Sequence, residues 1–124
     1  MRKDTRSAGE NAGMNISKRD SDFLNKFKKR VLHAFPKRIK SISLFGSRAT
    51  GVGKKDSDYD VFIMVDRRDR TLVDAIFDIA YDIYIESNLT FDISPVIMSE
   101  EFFNARLSQE RRIAIEIVEQ GIPL

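Results

Sequence analysis

A chain of 124 residues with 42% hydrophobic side chains can furnish one core, and has no room for a second domain. Charged residues make up 32%, and no apolar run nears the roughly 18 residues of a membrane span, so a cytoplasmic chain without membrane contact or secretory signal is expected. Cysteine is absent and His33 is the only histidine, which excludes disulfides, thiolate metal sites, a Cys nucleophile and a His-based zinc site. Carboxylate oxygens remain, and they suit Mg²⁺ or Mn²⁺.

Charge is unevenly spread. Residues 1–40 carry twelve Lys/Arg against four Asp/Glu, a net of +8, and residues 41–124 carry nine against fifteen, a net of −6. A basic front of this kind offsets the repulsion between an acidic, metal-holding body and a polyphosphate; it is equally the composition of a solvated helix with a basic tail. Nucleic-acid contact is not expected, because Phe23, Phe27 and Phe35 follow the apolar stripe and leave no interleaved aromatics for stacking bases.

Residues 1–15 hold almost no apolar side chain and read as a disordered leader, with Met14 an alternative start; residues 16–124 form the single domain. From Ser17 the pattern is helical, with Phe23, Leu24, Phe27, Val31 and Leu32 on one stripe and Pro36 ending it. His33 falls at the basic end of that helix, where it meets the negative end of the dipole. Ser41–Phe45 alternates as a strand and leads into a loop from Gly46 to Ser57. A second strand, Asp58–Val65, ends in five apolar residues, as a central strand covered on both faces requires. Thr71 is the expected cap of the next helix, which buries Leu72, Ile76, Ile79, Ala80 and Ile83 and stops near Asn88. A third strand spans Thr90 to about Met98, and Pro95 puts it at a sheet edge or breaks it there. Ser99 caps a short helix with Phe102 and Phe103, and Ser108 a last helix closed by Gly121.

The chemistry gathers around the second strand. Asp58 and Asp60 are two apart, so both leave the same face, roughly 7 Å apart at Cα, while Tyr59 and Val61 point into the core. Like charges so placed repel, and a strand keeps them cheaply when solvated or when a cation holds them. Should the third strand lie beside the second, Asp92 joins them, completing a carboxylate pattern for a two-metal site. Asp-x-Asp alone is a common motif at a solvated strand edge. The loop before it sharpens the reading, because Gly46-Ser47 directly after a strand offers bare backbone N–H groups and a hydroxyl to phosphate oxygens, with the Arg48 cation beside them.

Gly46-Ser47-Arg48-Ala49-Thr50-Gly51 followed by Ser57-Asp58-Tyr59-Asp60-Val61 resembles the minimal nucleotidyltransferases of the DNA-polymerase-β-like superfamily, and the likeness runs from about residue 20 to the end. The resemblance implies an α+β fold, a small mixed sheet backed by helices, of the polymerase-β palm kind. It implies that Gly46 and Ser47 hold the phosphates of ATP, that Asp58 and Asp60 ligate two Mg²⁺ ions, and that Asp92 ligates the catalytic one and helps deprotonate the acceptor hydroxyl. Stand-alone relatives often accompany a small helical HEPN-domain toxin as its antitoxin, transferring AMP onto one of its tyrosines. Transfer to an aminoglycoside-like small molecule and partner binding without catalysis are the alternatives.

Overall fold

The computed structural model describes residues 16–46 and 58–124. The expected leader, residues 1–15, and the loop from Ser47 to Ser57, with its Arg48, lie outside the described residues. The chain runs α1 (Lys18–Ala34), β1 (Ile39–Phe45), β2 (Tyr59–Val65), α2 (Arg70–Glu86), β3 (Ile93–Ser99), α3 (Glu100–Ser108), α4 (Arg112–Gln120) and β4 (Ile122–Pro123). The sheet order is β3-β2-β1-β4. β2 lies antiparallel to β1 and parallel to β3, and β4 pairs antiparallel with the outer side of β1. This is the small mixed sheet expected of an α+β domain.

β2 explains the layering. With a side-chain period of two, Tyr59, Val61, Ile63 and Val65 face one side, where they are buried with Leu24, Phe27 and Val31 of α1 and with Leu72, Ile76, Ala80 and Ile83 of α2. Phe62 faces the other side and packs with Phe45, Met98, Phe103 of α3, and Ala114 and Ile117 of α4. The central strand is therefore apolar on both faces and the sheet has a helix pair on each. Pro95 sits in β3 at the sheet edge, where its missing N–H costs no ladder bond.

Several local expectations are corrected. The cap of α2 is Asp69, whose side chain accepts from the Leu72 N–H (2.9 Å), and not Thr71. Asp69 also receives Arg38 (2.9 Å), a partner from across the chain that capping patterns do not reveal. Ser108 ends α3 and caps nothing; α4 begins at Arg112 after Glu110, whose φ is +56. β3 starts at Ile93, so Asp92 stands just ahead of the strand, as Asp58 stands just ahead of β2. Ile79 and Phe23 are half-buried and Leu32 is exposed. Ser99 caps α3 as expected, accepting from the Phe102 N–H, and Ser17 caps α1, accepting from the Asp20 N–H (both 3.1 Å). Gly121 is the C-cap of α4, at a position where a Cβ would meet the Ile117 carbonyl at 2.3 Å. Among the described residues, no helix is long and apolar enough to cross a membrane.

Candidate active site

The parallel register of β2 and β3 determines where the acids fall. Tyr59 aligns with Ile93 and Asp60 with Ser94, and the Tyr59 N–H donates to the Asp92 carbonyl at 3.0 Å. One step back along both chains, Asp58 therefore stands beside Asp92. Alternation puts Asp58, Asp60, Asp92 and Ser94 on the sheet face that α3 and α4 cover, opposite the buried Tyr59 and Ile93. β1 completes the corner: Phe45 aligns with Asp60, and Gly46 follows with φ +78. A Cβ on Gly46 would lie 2.3 Å from Asp60 Oδ2, so this turn needs glycine both for its left-handed backbone and for its approach to the carboxylate.

The segment bearing Asp92 is held by bonds that sequence reading missed. After α2, Ser87 is buried; its hydroxyl donates to the Tyr84 carbonyl (2.8 Å) and accepts from the N–H groups of Phe91 (2.9 Å) and Thr90 (3.3 Å). Arg19 of α1 donates to the Ser87 carbonyl (3.2 Å) and to the Thr90 hydroxyl. Phe91 is stacked between Tyr59 (ring centroids 4.9 Å apart) and Phe23 (5.3 Å), and the Tyr59 hydroxyl donates to Asp20 (2.8 Å). A Ser at a helix end and an Arg in a first turn are too common to signal such a clamp; it follows from the packing of α1 against this turn.

Charge is concentrated at the corner. Burial raises the pKa of the half-buried Asp60, and the charges of Asp58 and then of Glu116 on α4 raise it further. Burial and the Asp58 charge likewise raise Asp92, against the Ile93 N–H, which lowers it. Glu116 is a fourth acid, absent from the sequence reading because the apolar pattern of α4 marks its inward face but not the strand end that this face meets. Among the described residues no three His, Cys, Asp or Glu side chains are gathered to hold a metal ion as they stand. Asp58 is instead the common neighbour of Asp60 and Asp92, and the acids form a chain along the corner. Ser47 and Arg48, the other expected ligand-binding residues, fall outside the described residues. A hollow of about 410 Å³ lined by Arg68, Ile97, Met98, Ser99 and Phe102 opens at the far end of β3, away from these acids.

These shifts give a pH dependence with a definite sign. Asp60 and Asp92 bind protons more readily folded than unfolded, so the metal-free protein gains stability as pH falls from their raised values toward the ordinary 3.8. Asp66, Asp69 and Glu86 are lowered by Arg38, Leu72 N–H and Arg30 among others, so their contribution is lost at still lower pH, through their folded values. Thermal melts against pH are expected to rise on acidification and to peak near the ordinary carboxylate values, and Asp58→Asn to flatten the rise toward that peak.

The sequence from residue 24 to residue 120 matches the model of the nucleotidyltransferase domain family, a span that includes Gly46, Asp58, Asp60 and Asp92. The chain belongs to that family, and it is an enzyme, a nucleotidyltransferase. It is 34% identical over 97 residues, 77% of this chain and 85% of its relative, to the "Putative protein adenylyltransferase MJ0604" of Methanocaldococcus jannaschii. Its fold is that of a chain in two crystal structures of mutant forms of the toxin–antitoxin MntA–HpeT. One gives a TM-score of 0.51 at 20% identity over 80% of this chain and 69% of that one, the other 0.50 at 22% over 82% and 70%.

Proposed function

We infer that this nucleotidyltransferase transfers AMP from ATP to a tyrosine hydroxyl of a partner protein, a small helical toxin of the HEPN kind, and so acts in the cytoplasm as its antitoxin. The observation that carries the reading is the corner itself: Asp58 beside Asp92 at the start of two parallel strands, with Asp60 against the backbone of Gly46. An all-oxygen, mutually repelling donor set fits hard divalent cations, whose charge would relieve the raised carboxyls. Asp58 and Asp60 would hold two Mg²⁺ ions and Asp92 the catalytic one of these. Bound there, they neutralise triphosphate charge and polarise the reacting oxygens. Gly46 N–H and Ser47 would bind phosphate oxygens, with Arg48 supplying a cation.

The acceptor hydroxyl oxygen forms its bond to the α-phosphorus of ATP while the bond from that phosphorus to the bridging oxygen breaks. Pyrophosphate leaves, and the hydroxyl proton passes to the Asp92 carboxylate. Protein as acceptor is supported by the likeness to an archaeal chain named a "putative protein adenylyltransferase" and by fold neighbours that belong to a toxin–antitoxin pair. One of those complexes carries two Asp→Glu substitutions two residues apart, the spacing of Asp58 and Asp60, and the other a Tyr→Ala substitution.

The test is incubation with α-labelled ATP and Mg²⁺, with and without the co-encoded toxin. Label on a toxin tyrosine, dependent on metal, is the expected result; a toxin that is bound yet never labelled overturns the reading. Gly46→Ala offers a second check. The left-handed backbone costs a side chain on the order of 1 kcal/mol. The overlap falls on the tip of the Asp60 side chain, which can move aside. Stability should therefore drop modestly while transfer falls about 10²-fold, since displacement of a positioning carboxylate by an ångström costs about that much.

A further inference from the structure

α2 presents an outer face that the fold leaves uncovered. Phe77 is 47% exposed, Tyr81 61%, Ile85 48% and Leu89, just beyond the helix, 56%. On the helix Phe77, Tyr81 and Ile85 recur every four residues and form one stripe about 12 Å long at 1.5 Å rise per residue, with Leu89 in the turn that follows. Tyr81 meets the Tyr84 ring (centroids 6.3 Å apart), yet each of these side chains leaves about half its area or more uncovered, and a contiguous stripe of such area marks an interaction site. Leu89 is penalised twice, being exposed and held at φ +62.

A second row lies alongside. Asp74, Asp78 and Asp82 each stand three residues before an apolar member of the stripe and so border it on the helix surface. Asp74 meets Arg70 of the same helix at 3.6 Å, and among the described residues Asp78 and Asp82 make no ion pair. The next acid in the row, Glu86, is turned to Lys26 and Arg30 of α1. The face is thus apolar with an anionic border. Antiparallel two-fold pairing of this stripe with its own copy would bring the two acidic rows together, which disfavours a homodimer.

We propose that the outer face of α2 is the docking surface for a partner protein whose contact face carries apolar side chains bordered by Lys or Arg. α2 covers the sheet face opposite Asp58, Asp60 and Asp92, and its C-terminal end lies at the end of the sheet where β2 and β3 begin, so a partner seated along α2 must extend past that end to meet the acidic corner. Its role as the site where a protein acceptor is held rests on the function proposed above; the binding itself does not.

The experiment uses the full chain without ATP or metal. Its probes are a labelled amphipathic helical peptide of about 18 residues with a leucine stripe bordered by lysines, and a twin with glutamates for lysines. Sedimentation should show a monomer. Anisotropy should show the lysine peptide binding about tenfold more tightly than its twin, the expected gain from charge complementarity. Phe77→Ser with Tyr81→Ser, both exposed positions, should weaken it about tenfold at unchanged Tm. Asp78→Lys with Asp82→Lys should reverse the preference, and Asp58→Asn should bind as the parent does. Equal binding of both peptides, indifference to the serine pair, or a dimer that the serine pair dissociates overturns the proposal. Intact docking with failed transfer counts against the proposed function alone, and intact transfer to a protein that ignores the α2 variants counts against this surface alone.

Discussion

Asp58→Asn and Asp60→Asn are each expected to reduce nucleotidyl transfer by about 10²–10³-fold or more, the scale on which loss of one preorganised electrostatic group is felt, without unfolding the protein. The two halves of this result have one cause. Asp58 raises the pKa of both Asp60 and Asp92, so its negative charge is a cost to the metal-free fold and becomes useful only when a cation arrives. Removing it relieves a repulsion between partly solvated groups, so stability at neutral pH should hold or rise by up to about 1 kcal/mol. Single-turnover rates with labelled ATP, set beside urea melts of the same preparations, measure both. A variant that loses activity and stability in proportion would mean that these carboxylates serve the fold.

Phe91→Ala is the substitution expected to cost the fold most near the site. Its ring is 1% exposed and stacked on Tyr59 and Phe23, at the residue just before Asp92. Deleting a buried phenyl costs about 3–5 kcal/mol from lost transfer energy and the cavity left behind, out of the roughly 5–15 kcal/mol that a domain possesses. The urea midpoint should fall steeply with little change in slope. Below that midpoint, where the variant is still folded, transfer should remain impaired, because Tyr59 and the Ser87–Thr90 turn no longer bear on a filled ring and Asp92 loses its support. Phe91→Leu, which keeps most of the volume, should cost less than about 1.5 kcal/mol.

Asp58 and Asp60 were legible because strand alternation is local: an apolar run from Val61 to Val65 sets the two acids on one face without knowledge of any other element. The edge position of β3 was legible in the same way, since Pro95 forbids a central place. The cap of α2 was not, because Thr71 and Asp69 both suit a cap by composition; Arg38, which arrives from the far side of the chain, pairs with Asp69. β4 was missed because two residues, Ile122 and Pro123, carry no period and pair only because β1 offers a free edge.

What the sequence determined by itself, then, is whatever one backbone period or one residue's steric limits impose. These are the order of the longer elements, most of the buried stripe of each long helix, and the common face of Asp58 and Asp60. Tertiary structure alone decided the rest: that β3 joins β2 in parallel so that Asp92 comes beside Asp58, that Glu116 approaches Asp60 from α4, and that the stripe of Phe77, Tyr81 and Ile85 on α2 is left outside. Such relations depend on contacts between residues far apart in the chain, and they are fixed by which surfaces can be buried together, a property of the assembled fold and of no segment within it.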